Sequence, residues 1–435
     1  MDIVVDGVRH RPAATEMPRP DLLALDTRAF RSGFWGTVPV PARDGPGVIE
    51  LSLAVRLAGG GEHTEALGRI PIVAQDAPPR HGGPVEGLIA ICMGTFDPDP
   101  ALFATQVESL RAQTDPRWLC VVSDDCSSPE RFAHLEQIIG DDERFVVWRS
   151  ERRLGFYRNF ERALRMAPAE AELLALCDQD DRWFPEKLET LRAALGTASL
   201  VYSDQRLVDA DGRVLRETLW KGRRNNHTDL ASLLVANSIT GAATLFRREV
   251  AELALPFPDS PGLQFHDHWL GLVALAAGDV AYVSRPLYDY VQHPGAVFGE
   301  VSGGRPERRG GGLLRGGRGA YFLGYLPREV QAQTLLVRCA GRLTPAKRRA
   351  LTRYVASARS PAAFAWLVSR PLRALAGRNE TLGSESELAH GILWRWLVAL
   401  VARLPDGPWR RFCDASFPEP LSFEQRRLRR WRARA

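Results

Sequence analysis

The chain has 435 residues, of which 45% are hydrophobic and 25% charged, so it is long enough for two or three domains with full cores, and wholesale disorder is excluded. Its net charge of +5 hides a segregation: residues 301–435 carry 26 Lys and Arg against 9 Asp and Glu, a net +17, which leaves −12 for residues 1–300. The six cysteines lack the spacing of a metal site, and several fall in apolar runs, which indicates buried thiols in a reducing compartment.

No segment of the sequence predicts export or membrane insertion. The N-terminal stretch MDIVVDGVRH lacks a basic region followed by apolar residues. No apolar run reaches the roughly 18 to 20 residues that a spanning helix needs, and the nearest, at residues 391–402, contains Arg395. We therefore expect a cytoplasmic protein, either free or peripheral at the inner face of the cell membrane.

Residues 1–82 have the composition of a small β-rich domain. Pro and Gly are frequent, and apolar or β-branched runs predict short strands at residues 2–8, 34–40, 48–57 and 70–73. This pattern favours a β-sandwich-like accessory domain without a catalytic cluster. The segment DAPPRHGGP at residues 76–84 is typical of a linker.

From residue 88 the pattern changes to strands that alternate with helices. Apolar runs predict strands at residues 88–93, 118–123, 145–148 and 173–177, with a helix in each interval. The first helix follows Asp99-Pro100, an N-cap and a first-turn proline. This alternation predicts an α/β fold with a mostly parallel sheet, whose ligands gather at the carboxyl ends of the strands.

Acidic residues directly follow two of these strands. Asp124 and Asp125 end the second strand, and Asp178, Asp180 and Asp181 follow the fourth. Carboxylates crowded in this way repel one another, so the cluster either binds a cation or lies fully in water. Because loops after neighbouring parallel strands share one crevice, we favour a divalent cation that binds a diphosphate there.

The surroundings of the acidic loops narrow the class of ligand. Arg153 and Arg158, near Gly155, are candidate cationic contacts to the same diphosphate. Neither GxxxxGK[ST] nor GxGxxG follows any of the strands. This argues against a P-loop enzyme and against a dinucleotide oxidoreductase.

Three further motifs follow the acidic loops. They are NSITG at residues 237–241, HDHWL at residues 266–270, which opens an apolar helix, and YDYVQH at residues 288–293. Asp267 in the second motif has two interpretations, a helix N-cap or a functional carboxylate beside two histidines. The third motif ends in an isolated histidine, His293.

The ordered motifs together resemble the family 2 glycosyltransferases. Between residues 86 and 300 the chain carries Thr95-Phe96 after the first strand, then SDDCSS, LGFYRNFERA, DQDDRWFPEKL, NSITG, HDHWL and YDYVQH. Within that family they are most similar to the bacterial rhamnosyltransferase-like branch. One such motif is weak evidence, whereas six in this order are specific.

This resemblance implies a GT-A fold over residues 83–300 and an inverting transfer from a nucleotide-diphosphate sugar. Asp125 matches the aspartate that contacts the nucleotide base, and Thr95 the residue beside it. Phe96, Gly241 and the two arginines named above belong to the same implied nucleotide-sugar site.

The resemblance also implies the chemistry of the acidic loop. Asp178 and Asp180 match the DxD pair that holds Mg²⁺ or Mn²⁺ against the diphosphate, and Asp181 is an additional candidate ligand. His293 matches a further metal or diphosphate contact. Asp267 matches the general base that removes the proton of the acceptor hydroxyl.

Residues 301–435 are predicted to form a basic helical region. A glycine- and arginine-rich hinge at residues 303–319 precedes helices at about residues 327–339, 345–358 and 387–403. The stretch around Trp394 and Trp396 has two interpretations, a helix in the bilayer interface or, slightly favoured, a core-facing helix of a small bundle. The Arg-rich segment at residues 426–434 indicates attraction to an anionic membrane, and no signature of nucleic-acid binding accompanies it.

The sequence therefore predicts a metal-dependent, inverting glycosyltransferase of cell-envelope or capsular polysaccharide synthesis. The donor favoured by the resemblance is dTDP-rhamnose, with UDP sugars as the alternative, and the acceptor is a hydroxyl of a glycan or a lipid-linked sugar. The competing hypothesis is a catalytically silent GT-A module that binds nucleotide sugar or glycan. No oligomeric state is predicted.

Overall fold

The computed structural model describes residues 1–19, 22, 27–36, 38, 47–57, 59–72, 86–220, 225–259, 264–293, 313–375, 381 and 383–401. It divides into two compact units, whose described parts lie in residues 1–72 and in residues 86–401. The predicted linker at residues 76–84 and the basic segment at residues 426–434 lie outside the described residues. The division into three domains at residues 82 and 300 stays a prediction.

The first unit is built from short antiparallel strands. One sheet has the order β2-β1-β5-β6, and β3 pairs with β4 in a separate ribbon. The strands are β1 (Asp2–Val5), β2 (Val8–His10), β3 (Ala14–Met17), β4 (Gly33–Trp35), β5 (Gly47–Arg56) and β6 (Glu62–Ile72). The sequence pattern predicted only the end of β6, because this strand is exposed along its length and has no buried face to produce alternation.

The second unit contains a mixed sheet of nine strands in the order β11-β15-β12-β14-β10-β7-β8-β9, with β13 beside β12. Its strands are β7 (Ile89–Thr95), β8 (Trp118–Asp124), β9 (Phe145–Arg149), β10 (Leu173–Cys177), β11 (Arg182–Trp183), β12 (Leu200–Asp209), β13 (Val214–Arg216), β14 (Thr244–Arg247) and β15 (Val280–Gln292). The block β10-β7-β8-β9 is parallel, as predicted, whereas β14 pairs antiparallel with both β10 and β12.

Helices connect these strands and cover the sheet. They are α1 (Pro100–Arg111), α2 (Pro129–Ile139), α3 (Phe156–Met166), α4 (Lys187–Leu195), α5 (Leu230–Val235), α6 (Arg248–Ala254) and α7 (His266–Ala277). Asp99 caps α1 by accepting from the N–H groups of Ala101 and Leu102, and a proline follows the cap, as predicted. Central strands such as β8 are buried on both faces, which explains their continuous apolar runs.

The C-terminal part of the second unit is helical. Its elements are α8 (Leu313–Gly319), a π-helical turn (Ala320–Tyr325), α9 (Leu326–Arg338), α10 (Pro345–Ala356), α11 (Pro361–Ser369), α12 (Leu372–Leu375) and α13 (Ser384–Val401). The predicted hinge at residues 303–319 is wrong over its last seven residues, which form α8. Glycine there closely approaches a neighbouring helix, since a Cβ on Gly317 would lie 2.3 Å from Cβ of Trp394.

The stretch around Trp394 lies in this helical layer. Trp394 is buried against Phe322, and Trp396 packs on Phe364 of α11 while its indole N–H donates to the carbonyl of Ala358. These contacts favour the bundle interpretation for the two tryptophans. Among the described residues, none of the helices combines the length and the apolar character needed to cross a bilayer.

Candidate active site

The parallel block brings the loops after β7 and β8 together. Thr95 ends β7 and donates from its hydroxyl to Oδ1 of Asp124 at 3.1 Å. Asp97 joins the same two loops through two hydrogen bonds. Its N–H donates to Oγ of Ser127, and its Oδ1 accepts from the N–H of Ser128, each at 2.8 Å. Thr95 is thus buried, and its hydroxyl is already bonded within the protein.

Asp125 lies at the end of β8, beside the segment that begins α3. Its two carboxylate oxygens accept from the N–H groups of Leu154 at 2.5 Å and Gly155 at 2.8 Å. Burial raises the pKa of Asp125, against the lowering effect of these two bonds. Asp125 is thus rigidly oriented, and its contact to a nucleotide base stays a prediction.

Phe96 connects three of the predicted loops. The guanidinium carbon of Arg153 lies 3.5 Å from the centroid of the Phe96 ring, which is a cation–π contact. The backbone of Phe96 makes a reciprocal pair with the amide of Gln179: its N–H donates to Oε1 at 2.8 Å, and its carbonyl accepts from Nε2 at 3.2 Å. Gln179, to which the sequence analysis assigned no role, thus fastens the acidic loop to the loop after β7.

The acidic loop after β10 meets the end of β15. Nε2 of His293 lies 2.9 Å from Oδ2 of Asp180, although the two residues are 113 positions apart. Asp180 in turn raises the pKa of His293. Burial, followed by the charges of Asp180 and Asp267, raises the pKa of Asp178 to about 7. The structure thus places the predicted metal residues and the predicted base in one electrostatic neighbourhood.

Asp181, the additional candidate ligand, is bonded to the backbone of β15. It is buried, and its Oδ1 accepts from the N–H of Val291 at 3.2 Å, while its Oδ2 has no hydrogen-bond partner among the described residues. Burial raises its pKa well above the usual range. A role as an additional metal ligand stays a prediction.

A buried lysine lies beneath the acidic loop. Nζ of Lys187 lies 3.4 Å from the centroid of the Trp183 ring and 4.5 Å from that of Tyr288, and it donates to the carbonyl of Ala242. Burial lowers the pKa of Lys187 to about 7, while the charge of Asp181 acts in the opposite sense. In the sequence this residue is the lysine of DQDDRWFPEKL, to which the sequence analysis assigned no role of its own.

Asp267 is the second residue of α7, whose N-cap is Phe265. The N-cap interpretation of Asp267 is therefore wrong. Its Oδ1 accepts from the N–H of His268 at 2.5 Å and from Nδ2 of Asn237 at 3.2 Å. Burial raises its pKa to about 7, against the lowering effect of these donors and of the N–H of Gly241. A carboxylate with that pKa accepts a proton readily near neutral pH.

Gly241 lies directly against this carboxylate. A Cβ at position 241 would lie 2.9 Å from Nε2 of His266 and 3.4 Å from Cβ of Asp267. Glycine is therefore required by the close approach of α7. Its predicted contact with the nucleotide sugar stays a prediction, since the structure shows it supporting Asp267.

Arg158 has partners other than the acidic loops. Its guanidinium binds the carboxylates of Glu161 and Asp259, and it donates to the carbonyl of Phe257 at 3.0 Å. The structure does not bring it to Asp178 or Asp180. The guanidinium is already engaged by Glu161, one helical turn away, and by Phe257 and Asp259, about a hundred residues away in sequence. The predicted contact of Arg158 with a diphosphate is thus without structural support.

The donor atoms in this crevice fit a hard divalent cation that a diphosphate helps to bind. Within the described ranges, no three His, Cys, Asp or Glu side chains form a preassembled ligand group. Mg²⁺ is commonly held by one or two carboxylates while phosphate and water complete its coordination. Asp180 and Asp178, with His293 beside them, supply that partial set.

Comparison with known proteins finds a family match in the central part of the second unit. Residues 91–253 match the family model of Glycosyl transferase family 2. The matched region begins in β7 and includes both acidic loops, the lysine and NSITG, and it ends in α6 before HDHWL. Together with the mixed sheet, this match confirms the α/β fold of GT-A type.

Other similarities accompany this family match. The uncharacterized protein y4gI of Sinorhizobium fredii (strain NBRC 101917 / NGR234) is 29% identical over 166 residues, which are 37% of this chain and 17% of that protein. The chain thus spans less than a fifth of the length of this curated relative.

Two solved glycosyltransferase structures are similar at lower identity. TarS 1–349 of S. aureus in complex with UDP-GlcNAc is 16% identical with a TM-score of 0.43, covering 71% of this chain and 92% of that one. The mannosyltransferase PcManGT from Pyrobaculum calidifontis, in complex with GDP-Man and Mn²⁺, is 18% identical with a TM-score of 0.38, covering 73% and 88%.

Proposed function

We propose that the protein transfers a sugar from a nucleotide-diphosphate sugar to an acceptor hydroxyl, with inversion at the anomeric carbon. The observation that carries this proposal is the position of Asp267, whose charge acts on Asp178 and which lies, like Leu176 of β10, directly against Gly241. The family 2 match over residues 91–253 supports the same reaction class.

In the proposed reaction the acceptor oxygen attacks the anomeric carbon on the face opposite the diphosphate. A bond forms between these two atoms while the bond to the phosphate oxygen breaks, and the bonding electron pair leaves with the nucleoside diphosphate. Asp267 accepts the proton of the acceptor hydroxyl. Its donors, Asn237 and the N–H groups of His268 and Gly241, hold the carboxylate in one orientation.

The residues at the other side of the crevice bind the donor. Asp125 and the Phe96–Arg153 pair are proposed to contact the nucleotide, while Asp178, Asp180 and His293 would hold Mg²⁺ or Mn²⁺. A divalent cation, when bound, neutralises charge on the departing diphosphate. The chain's own contribution is an oriented set of acidic side chains, which Gln179 fastens to the loop after β7.

A panel of nucleotide sugars tests this function directly. Thermal unfolding is measured with dTDP-rhamnose, UDP-GlcNAc, UDP-glucose and GDP-mannose, each with Mn²⁺ and with EDTA, and release of the nucleoside diphosphate is followed in parallel. We expect one donor to raise the unfolding temperature and to be cleaved only with the metal. The favoured donor is dTDP-rhamnose. Donor binding without cleavage or transfer would support the silent-module hypothesis, and no binding by any donor would contradict the proposal.

We further propose a lipid-linked acceptor and peripheral association with an anionic membrane, in cell-envelope polysaccharide synthesis. Leu372 and Leu400 in the C-terminal helices are 63% and 60% exposed, in a part of the sequence with a net charge of +17. Sedimentation with phosphatidylglycerol vesicles should fall in Leu372→Glu and remain unchanged in Val8→Glu, an equally exposed control in the first unit. Equal sedimentation of the wild type, Leu372→Glu and Val8→Glu would contradict the proposal that this surface binds the membrane.

A further inference from the structure

The short helix α5 is held at its N-terminus by the C-terminal helical layer. Asp229 is its N-cap and accepts from the N–H of Ser232 at 2.8 Å. The same carboxylate accepts from Nη2 of Arg370 at 2.7 Å and from Nη2 of Arg373 at 2.6 Å. A six-residue helix is too short to be stable by itself, so these contacts with residues more than 140 positions away help to hold it.

The other end of α5 is held in the same way. The carbonyls of the last turn have no partners within a helix. That of Leu233 accepts from Nε2 of His268 at 2.7 Å, and those of Leu234 and Val235 accept from Nε of Arg328 at 3.0 and 3.1 Å. Burial lowers the pKa of His268 to about 3, so its ring is neutral and its Nε2–H donates.

This end of α5 leads directly to the proposed base. Asn237, two residues after α5, forms a local turn in which its side chain binds both the N–H and the carbonyl of Ile239, at 3.0 and 2.9 Å. Its Nδ2 also lies 3.2 Å from Oδ1 of Asp267. The end of α5 and the start of α7 are thus joined twice, through Asn237–Asp267 and through Leu233–His268.

We propose that Arg328 is a positioning residue for the transfer reaction: it holds the end of α5 so that Asn237 keeps Asp267 in its reactive orientation. The C-terminal helical layer is then part of the machinery of the active site. This inference rests on the proposed function, in which Asp267 is the base.

The guanidinium of Arg328 is suited to this task. Its Nη1 donates to the carbonyl of Gly324 at 2.7 Å, four residues earlier along the same helical segment, while Nε reaches α5. The planar group therefore has a fixed orientation, which the single ammonium of a lysine would not reproduce. A lysine at position 328 retains the charge at the end of α5 but loses the shared geometry.

Arg338 provides a matched control in the same helix, α9. It is half-buried like Arg328, and its Nη1 donates to the carbonyl of Ala254 at 2.7 Å, at the end of α6. The same carbonyl accepts from Nε1 of Trp269 in α7 at 3.0 Å, so Arg338 supports the packing of α7 but, among the described residues, makes no bond to the end of α5 or to Asn237. Loss of Arg338 should therefore affect stability without the specific effect on turnover.

The test compares Arg328→Met, Arg328→Lys and Arg338→Met in the full chain, using release of nucleoside diphosphate from the donor that the panel selects, with Mn²⁺. We expect Arg328→Met to lower kcat at least tenfold while the donor KM stays within twofold, Arg328→Lys to recover part of kcat, and Arg338→Met to retain it. A comparable fall in unfolding temperature in both methionine variants separates positioning from general stability. Equal kcat in Arg328→Met and Arg338→Met would overturn the proposal.

Asn237→Ala serves as a second variant that leaves the C-terminal layer intact. It should lower kcat by a similar factor, and its combination with Arg328→Met should lose little more than either change alone, because both act through one contact. Fully additive losses would overturn the proposal. If instead Asp267→Asn retains wild-type turnover, the proposed function fails, and that result is distinguishable from all of these outcomes.

Discussion

Asp125 is proposed to bind the donor and Asp267 to accept the proton of the acceptor, and the fold holds these two carboxylates by different means. On the donor side, which comprises Phe96, Asp125, Gln179 and the acidic loop, backbone groups at the ends of parallel strands fasten the loops to one another. On the base side, which comprises Asp267, Asn237 and α5, the contacts reach into a helical layer about a hundred residues away in sequence.

This difference indicates which property a substitution on each side should change. The donor side derives its geometry from the sheet, whose β7 and β8 are almost entirely buried and share seven registered residue pairs. The base side depends on a few polar contacts between short elements. We therefore expect donor-side changes to alter binding and base-side changes to alter turnover.

The largest expected effect is that of Asp267→Asn. The amide cannot accept the proton of the acceptor, so kcat should fall by roughly 10²- to 10⁴-fold while donor affinity remains near that of the wild type. Calorimetry of donor binding and product release measure the two quantities. Asp279→Asn, just beyond the other end of α7, is the control. A parallel loss of donor binding and turnover in Asp267→Asn would contradict the distinction between the donor side and the base side.

Asp180→Asn should act in the opposite manner. Its carboxylate pairs with His293 and is proposed to hold the cation, so the metal-dependent part of donor affinity should fall by at least about tenfold. Titration of the donor with Mn²⁺ and with EDTA isolates that part. Asp211→Asn, in the exposed turn before β13, should behave as wild type, and an unaltered metal response in Asp180→Asn would remove this residue from the cation site.

Gly241→Ala should weaken the base side by steric pressure. The new Cβ would press on His266 at 2.9 Å, and overpacking of this kind costs about 1–3 kcal/mol of unfolding free energy. We expect a lower midpoint of denaturant unfolding together with a lower kcat. Gly319→Ala, where nothing lies within 4 Å of the added Cβ, is the matched control. Unchanged stability in Gly241→Ala would mean that α7 can shift to accommodate the added Cβ, and it would contradict the requirement for glycine at this position.

Gln179→Leu should have the smallest effect of these changes. It removes two hydrogen bonds to the backbone of Phe96, each contributing about 1 kcal/mol, so donor affinity should fall roughly fivefold or more while kcat is retained. Isothermal calorimetry measures the affinity, and Gln137→Leu on the exposed face of α2 is the control. A fall confined to kcat would place Gln179 on the base side.

Sequence reasoning predicted the features of the fold that follow from local patterns, and it could not reveal contacts between residues that are distant in sequence. The order of strands and helices from residue 88, the acidic loops and the placement of Asp267 on an apolar helix were all predictable, because periodicity and turn residues are local signals. The resemblance implied that His293 contacts the metal or the diphosphate, but its contact with Asp180 was not predicted, since nothing local joins residues 113 positions apart.

Three residues show which contacts the sequence alone does not reveal. Arg158 looked free to bind phosphate, but Asp259 and Glu161 neutralise it in the folded chain. Lys187 looked like an ordinary helix residue, although the fold encloses it between two aromatic rings. The support of α5 by Arg328 depends on the packing of the C-terminal layer, which no pattern within residues 225–241 indicates.

The dependence of kcat/KM on pH tests the central claim, that Asp267 removes the proton, most directly. A general base acts when it is ionised, so activity should rise with pH through an apparent pKa of about 7, the value to which burial raises Asp267. Asn237→Ala removes a donor that lowers this pKa, and the rise should therefore move to higher pH. A rise centred near pH 4, or one that does not move in Asn237→Ala, would contradict the assignment of the proton to Asp267.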